Sequence, residues 1–224
     1  MTPARPNRLA LVHTVAGLVP RFRELSAELL PGVETFDIVD ETLLRDATSE
    51  RRVSLDTARR LFAHLAAVER HGADAILVTC SSMGGVVDAA RPFGGVPLLR
   101  IDQAMAEQAV QRGAGIGVLA TLQSTLGPTA ELISRTAADA GRSVEVRAEL
   151  CDGAFEALHD GDTDRHDELV RSGLRALIGW ADVIVLAQAS MARVVDSLTD
   201  DERRTPILSS PRLGMERMRH ILAG

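Results

Sequence analysis

Lysine and tyrosine are both missing from this 224-residue chain, so each of its 25 basic side chains is an arginine. Without lysine there is no internal Schiff base, which excludes the usual pyridoxal phosphate chemistry. The Lys or Tyr general base goes with it, leaving Cys, His, Asp and Glu to move protons. Cysteine is scarce too. Cys80 and Cys151 lie far apart and make no disulfide framework, so a reducing compartment, the cytoplasm, is expected. No apolar run approaches the roughly 18 residues of a membrane span. The opening MTPARPNRLALVHTV lacks the apolar core of a signal peptide, because the run at 9–12 is short and His13 interrupts it. An excess of positive charge is absent as well. The net charge of −6 and pI near 5.5 argue against a nucleic-acid partner. The expected partner is a small molecule, with neither nucleic acid nor membrane.

What is present is a chain that is 46% hydrophobic, with no low-complexity stretch and enough length for one large α/β domain or two small ones. It also repeats itself. ILVTCSSMGG (76–85) returns as VIVLAQASMA (183–192). Aligned on the preceding Ala-Asp pair, Asp74 falls on Asp182, Ser82 on Ser190, Met83 on Met191, and Cys80 on Gln188. LALVHT (9–14) matches IGVLAT (116–121), VETFDIVDE (33–41) matches VEVRAELCD (144–152), and PLL (97–99) matches PIL (206–208). The offset is 107 from Leu9 to Ile116 and 111 from Val33 to Val144, with the other two between. Four matches in one order at nearly one offset describe two similar halves.

Each half reads strand, helix, strand, helix, strand, helix, strand. Strands are expected near 8–14, 33–39, 74–80 and 96–100, then near 115–121, 143–150, 182–188 and 205–209. Ala58, Leu61, Phe62, Leu65 and Val68 form one apolar face of a helix over 53–72, and a helix over about 163–180 occupies the matching place. Continuous apolar strands alternating with amphipathic helices give α/β architecture: two pseudo-symmetric Rossmann-like subdomains, each a four-stranded parallel sheet flanked by helices. The first half is expected over 1–103, with a C-terminal helix (210–224) packing back on it, and the second over 104–209. Ligands of parallel sheets sit at the carboxyl ends of strands. Those ends are Thr14, Asp40 and Cys80 in one half and Thr121, Cys151 and Gln188 in the other; if the halves face each other, they line one cleft.

Cys80 leads the candidates. Although a free cysteine is commonly structural, this one stands at a strand-to-helix turn where Ser81, Ser82, Gly84 and Gly85 leave amide groups free, a setting that lowers a thiol pKa. In TLQSTLGPTAEL (121–132), Ser124 and Thr125 either cap the following helix or hold a carboxylate, and Pro128 suits a first helical turn. His13 is either an acid/base or a histidine fixed by hydrogen bonds. Cys151 could edge the cleft but reads as a passenger thiol, since no small polar turn follows it. His64, on an arginine-rich helix face, is expected to be solvated. HDGDTDRHDE (159–168) lacks the glycine and glutamate of a calcium loop, having Arg165 and Arg171 there, so its acids are expected to start and cap a helix. GAGIG (113–117) precedes its strand and is no dinucleotide fingerprint.

The strand-end cysteine in VTCSS, the TLQST turn and the run DGAFEALHDGDTDRHDELV together resemble the aspartate/glutamate/hydantoin racemase superfamily, over nearly the whole chain. DGAFEAL…GD and LSSPRLG are most similar to its hydantoin-racemase-like branch. The resemblance implies cofactor-independent chemistry on a small amino acid or related carboxylate or hydantoin. It also implies two cysteines, one per half, on opposite faces of the α-carbon: one thiolate takes the proton and the other thiol returns it. Carried over, the first is Cys80 and the second position is Gln188, which neither takes nor gives a proton at neutral pH. Thr14, Ser81, Ser82, Thr121, Ser124, Thr125, Ala189 and Ser190 would hold the substrate and the developing enolate charge. Racemisation would need His13 or Cys151 to serve the other face. Arylmalonate decarboxylase and maleate isomerase are relatives, so one-sided decarboxylation or isomerisation stands as an alternative, and a non-catalytic small-carboxylate-binding protein as another. A homodimer or higher homo-oligomer is expected.

Overall fold

The computed structural model describes residues 5–195 and 197–223. Strands β1 (Arg8–His13), β2 (Glu34–Val39), β3 (Ala75–Val78) and β4 (Leu98–Arg100) form a parallel sheet in the order β2-β1-β3-β4. Strands β5 (Gly115–Ala120), β6 (Glu145–Leu150), β7 (Val183–Leu186) and β8 (Ile207–Ser209) form another, in the equivalent order β6-β5-β7-β8. In the first sheet, α1 (Val19–Leu29) joins β1 to β2, α2 (Glu41–Ser49) and α3 (Leu55–Arg70) lead to β3, and α4 (Gly84–Ala90) leads to β4. Next, α5 (Gln103–Arg112) enters β5, α6 (Gln123–Asp139) joins β5 to β6, and α7 (Ala154–His159) and α8 (Thr163–Leu177) lead to β7. The chain ends its described course through α9 (Ala192–Val195), β8 and α10 (Ser210–Leu222). Both sheets thus carry a pair of helices between their second and third strands, where the sequence suggested one.

Two compact units result: the described residues up to Ile101 together with those from Pro211 onward, and Asp102–Ser210. Among the described residues no helix is long and apolar enough to cross a membrane.

Strands β1 and β3 alternate between two buried faces. Leu9, Leu11, Ala75 and Leu77 pack with Phe22 and Leu25 of α1 and Met215 and Met218 of α10. Ala10, Val12, Ile76, Val78 and Cys80 pack with Leu43 of α2, Leu61 and Leu65 of α3, and Met83. Ser54 caps α3 by accepting from the Thr57 amide, and Leu61, Leu65 and Val68 form its buried stripe. Phe62 departs from the expected stripe: it sits at its edge, 37% exposed.

The repeated Ala-Asp pair has a structural purpose. Asp74 accepts the Arg8 amide at 2.8 Å, and Asp182 accepts those of Ala114 and Gly115 at 2.9 and 2.8 Å. These bonds lower the Asp182 carboxyl below its ordinary value. A Cβ on Gly113 would stand 2.2 Å from the Asp182 Cβ, so the GAGIG glycine makes room for this carboxylate at the start of β5.

Candidate active site

Cys80 follows β3 in extended conformation (φ −124°, ψ 114°) and opens a 3-10 turn, Ser81–Met83, that passes directly into α4. The Met83 amide donates to the Cys80 carbonyl at 3.2 Å, closing the turn. Met83 is wholly buried and anchors it in the core. Thr14, Ser82 and the Ser82 and Met83 amides are hydrogen-bonded to the Cys80 thiol. Cys80 is only 8% exposed. Burial therefore pushes its pKa above the ordinary 9.0, while those bonds pull it back. This corrects the expectation of a depressed thiol pKa: donors surround the sulfur as the sequence implied, but desolvation outweighs them.

The second unit repeats the frame around an amide. Gln188 follows β7 with φ −129° and ψ 142°, and opens the 3-10 turn Ala189–Met191, closed by the Met191 amide to the Gln188 carbonyl at 3.3 Å. Met191 is again the buried anchor. Where Thr14 bonds the Cys80 thiol, Thr121 bonds Gln188: its amide donates to Gln188 Oε1 at 2.7 Å, and Gln188 Nε2 donates to Thr121 Oγ1 at 2.8 Å. In each unit the second residue after the third strand is thus tied to the threonine that follows the first. Ala189 and Ser190 are half-buried beside Gln188.

Helix α6 begins at Gln123 behind Leu122, and no side chain caps it, so neither Ser124 nor Thr125 fulfils the expected capping role. Thr125 is buried, and Ser124 Oγ is buried with no hydrogen-bond partner. Pro128 lies inside the helix rather than in its first turn and withholds the N–H that would meet the Ser124 carbonyl. This helix start is polar, uncapped and at the carboxyl end of β5.

His13 and Cys151 are both buried. His13 ends β1 on the face opposite Val12 and Cys80, against the Phe22 ring at 5.3 Å between centroids. It is fully buried, its Nε2–H donates to Asp37 Oδ1 at 3.1 Å, and Nδ1 accepts from Thr79 Oγ1 at 2.9 Å. Burial lowers its pKa against the opposing pull of Asp37. Strand alternation decides the matter: Thr14 shares the face of Cys80, and His13 is a fixed histidine on the other. Cys151 lies in the core, where a Cβ on Gly173 of α8 would stand 2.7 Å from its sulfur. Burial, with the Glu149 charge, pushes its thiol up to about 12. It is a passenger thiol.

His64 is bonded rather than solvated. Its Nε2 lies 2.8 Å from Oδ2 of Asp40, which also caps α2 by accepting the Thr42 amide at 3.0 Å. Burial raises the Asp40 carboxyl, but the bonds from Thr42 and His64 outweigh it and hold it below its usual value. Asp162 caps α8 through the Arg165 amide, as expected of the acidic run, and among the described residues no group of three or more His, Cys, Asp or Glu side chains could hold a metal.

The doubled α/β chain thus repeats one strand-to-turn frame, with a thiol in the first unit and an amide in the equivalent seat of the second. The sequence profile of the Asp/Glu/Hydantoin racemase family matches residues 13–218, and the chain belongs to that family. It is an isomerase of the racemase type. Its fold is that of a glutamate racemase from Bacillus anthracis (TM-score 0.78, 16% identity, covering 98% of this chain and 83% of that one). An allantoin racemase from Klebsiella pneumoniae (TM-score 0.70, 18% identity, 97% and 88% covered) is also similar. So is an aspartate racemase homologue from Pyrococcus horikoshii (TM-score 0.71, 15% identity, 97% and 100% covered). No curated protein sequence matches the chain.

Proposed function

We propose that the protein moves a proton at the α-carbon of a small amino acid or a related carboxylate or hydantoin, with Cys80 as the proton carrier. The observation that carries this reading is the set of donors on the Cys80 sulfur: Thr14, Ser82 and the Ser82 and Met83 amides. Donors aimed at a sulfur favour its anion and work against the burial that raises this thiol's pKa, and the thiolate is the form that accepts a proton. The C–H electron pair stays on the substrate as a carbanion delocalised into the neighbouring carbonyl, while the proton passes to sulfur. Thr14, Ser81 and Ser82, in the same unit as Cys80, would hold the carboxylate and the developing enolate charge.

Gln188 favours a second reading, one-sided chemistry. Its amide is engaged at both ends by Thr121, and as an acid or base it neither gives nor takes a proton at neutral pH. One carrier serves one face of a planar carbanion, so decarboxylation or double-bond isomerisation is the second reading.

One experiment separates these outcomes. Small amino acids, hydantoins and malonates are incubated in deuterated water, and product is read by mass spectrometry and chiral chromatography. Deuterium incorporation should occur in the parent and fall by at least about 10³-fold in Cys80→Ser, whose hydroxyl is far too weak an acid to ionise there. Retained turnover in folded Cys80→Ser would refute the assignment. Gln188→Cys should increase racemisation over exchange. A parent that already racemises freely, unchanged by that substitution, would show a second base elsewhere.

A further inference from the structure

Gly84 and Gly85 stand side by side after the Cys80 turn, yet only one is required by its surroundings. A Cβ on Gly85 would meet nothing within 4 Å. A Cβ on Gly84 would fall 2.1 Å from Cζ of Arg100, 2.2 Å from Nη2 and 2.6 Å from Nε. Three atoms of the guanidinium at similar distances mean that its plane faces the glycine.

Arg100 is the last residue of β4, paired in register with Val78. Leu98, two residues before it, joins the core face that Val78 and Cys80 share, so alternation puts Arg100 on that face too. Its side chain has no solvent exposure, and Nη1 donates to Oδ2 of Asp88 on α4 at 2.9 Å. The other oxygen of Asp88 accepts from Arg91 Nη2 at 3.1 Å. A wholly buried guanidinium is costly, and a leucine of similar bulk would fill the space without that cost. What a leucine would not supply is a flat, rigid plate held at a fixed angle by a carboxylate.

The place where that plate presses is a junction. The Gly84 amide donates to the Ser81 carbonyl, closing the 3-10 turn, and Gly84 is also the first residue of α4. Just before it stand Ser82 and Met83, whose amides bond the Cys80 sulfur. We propose that Arg100 is a positioning residue for Cys80: its guanidinium, braced by Asp88 and seated against Gly84, fixes where the Ser82 and Met83 amides stand relative to the sulfur. Its importance for turnover rests on Cys80 being the proton carrier, but the positioning itself is read on the thiol alone.

The measurement is the pH midpoint of iodoacetamide alkylation at Cys80, located by peptide mass spectrometry. A chain without lysine offers few competing nucleophiles at alkaline pH. The variants are Arg100→Gln, Arg100→Lys and Gly84→Ala, with Gly85→Ala as the control and far-UV circular dichroism to confirm folding. Gly85→Ala should behave as the parent. Arg100→Gln and Gly84→Ala should each raise the midpoint by about one pH unit, a tenfold slower reaction at fixed pH below it, as expected for losing one thiolate hydrogen bond. Arg100→Lys, which keeps the charge but not the plane, should also raise it. Should Arg100→Gln fail to fold, Gly84→Ala and Arg100→Lys probe the same contact. Folded variants that lose thermal stability while keeping the parent midpoint would overturn the proposal and leave Arg100 a purely structural ion. Turnover in Cys80→Ser would instead refute the catalytic reading and leave the alkylation result standing.

Discussion

A thiol and an imidazole only one strand apart receive opposite fates from the two faces of one sheet. Cys80 and Thr14 share a face and bond each other, whereas His13, one residue earlier, is turned towards Phe22 and Asp37. The side-chain period of two makes this unavoidable once the strand register is set. Cys151 shows what burial without donors does to the same chemical group. Its thiol, raised from 9.0 to about 12, stays neutral in the folded chain while the unfolded chain ionises it above pH 9. That contribution to stability is complete below about pH 9 and is lost as pH rises towards 12. Chemical denaturation at stepped pH should therefore show stability falling through this window, and Cys151→Ala should flatten part of the fall. An unchanged slope in the variant would show that the thiol is not closed off as the structure has it.

At the scale of elements, the two sheets begin as alike as they end. Asp182 ties the start of β5 to the entry of β7 through two amides, as Asp74 does with one in the first sheet. Asp182→Ala should cost about 1–3 kcal/mol, because charge-assisted bonds to backbone amides are lost. Hydrogen exchange should accelerate at Ala114 and Gly115 while the amides of β1 keep their protection; equal acceleration in both would refute a local role. Much of this level was legible beforehand. Strands β1, β3, β5 and β7 were readable as apolar runs and the others by their place in the repeat, and the doubled pattern around Cys80 and Gln188 survives as two matching turns with matching threonine bonds. Helices α2 and α7 were not. They are only 9 and 6 residues long, too short for a helical period to emerge beside the longer helix that follows each. Arg100 was missed for a different reason. A strand-end arginine in PLLRID looks solvated in sequence, and only the space above Gly84 reveals where its guanidinium goes. The net direction of the Cys80 pKa was equally hidden, since it depends on how much water reaches the sulfur rather than on which donors flank it.

For the molecule as a whole, the division into units does not follow the order of the chain. Helix α10 belongs with β1–β4, where Met215 and Met218 are fully buried beside Leu9, Leu11 and Leu77. Arg212 binds Glu28 of α1, and Asn7 Nδ2 donates to the Leu222 carbonyl at 2.7 Å. Met218→Ala should destabilise the first unit by about 2–5 kcal/mol, as other large-to-small core changes do. The amides of β5–β7 should keep their exchange rates, and a uniform loss across both sheets would mean that the units do not open separately. The same arrangement imposes an order on biosynthesis. Everything from Asp102 to Ser210 can leave the ribosome and close its own core, while the face of the first sheet that holds Leu9 and Leu77 still waits for its covering helix. At synthesis rates of about 5–20 residues per second that wait lasts roughly 5 to 20 s. For that interval the nascent chain carries a finished second unit behind an unfinished first one, with a greasy sheet face open to chaperones and to neighbouring chains on the same messenger.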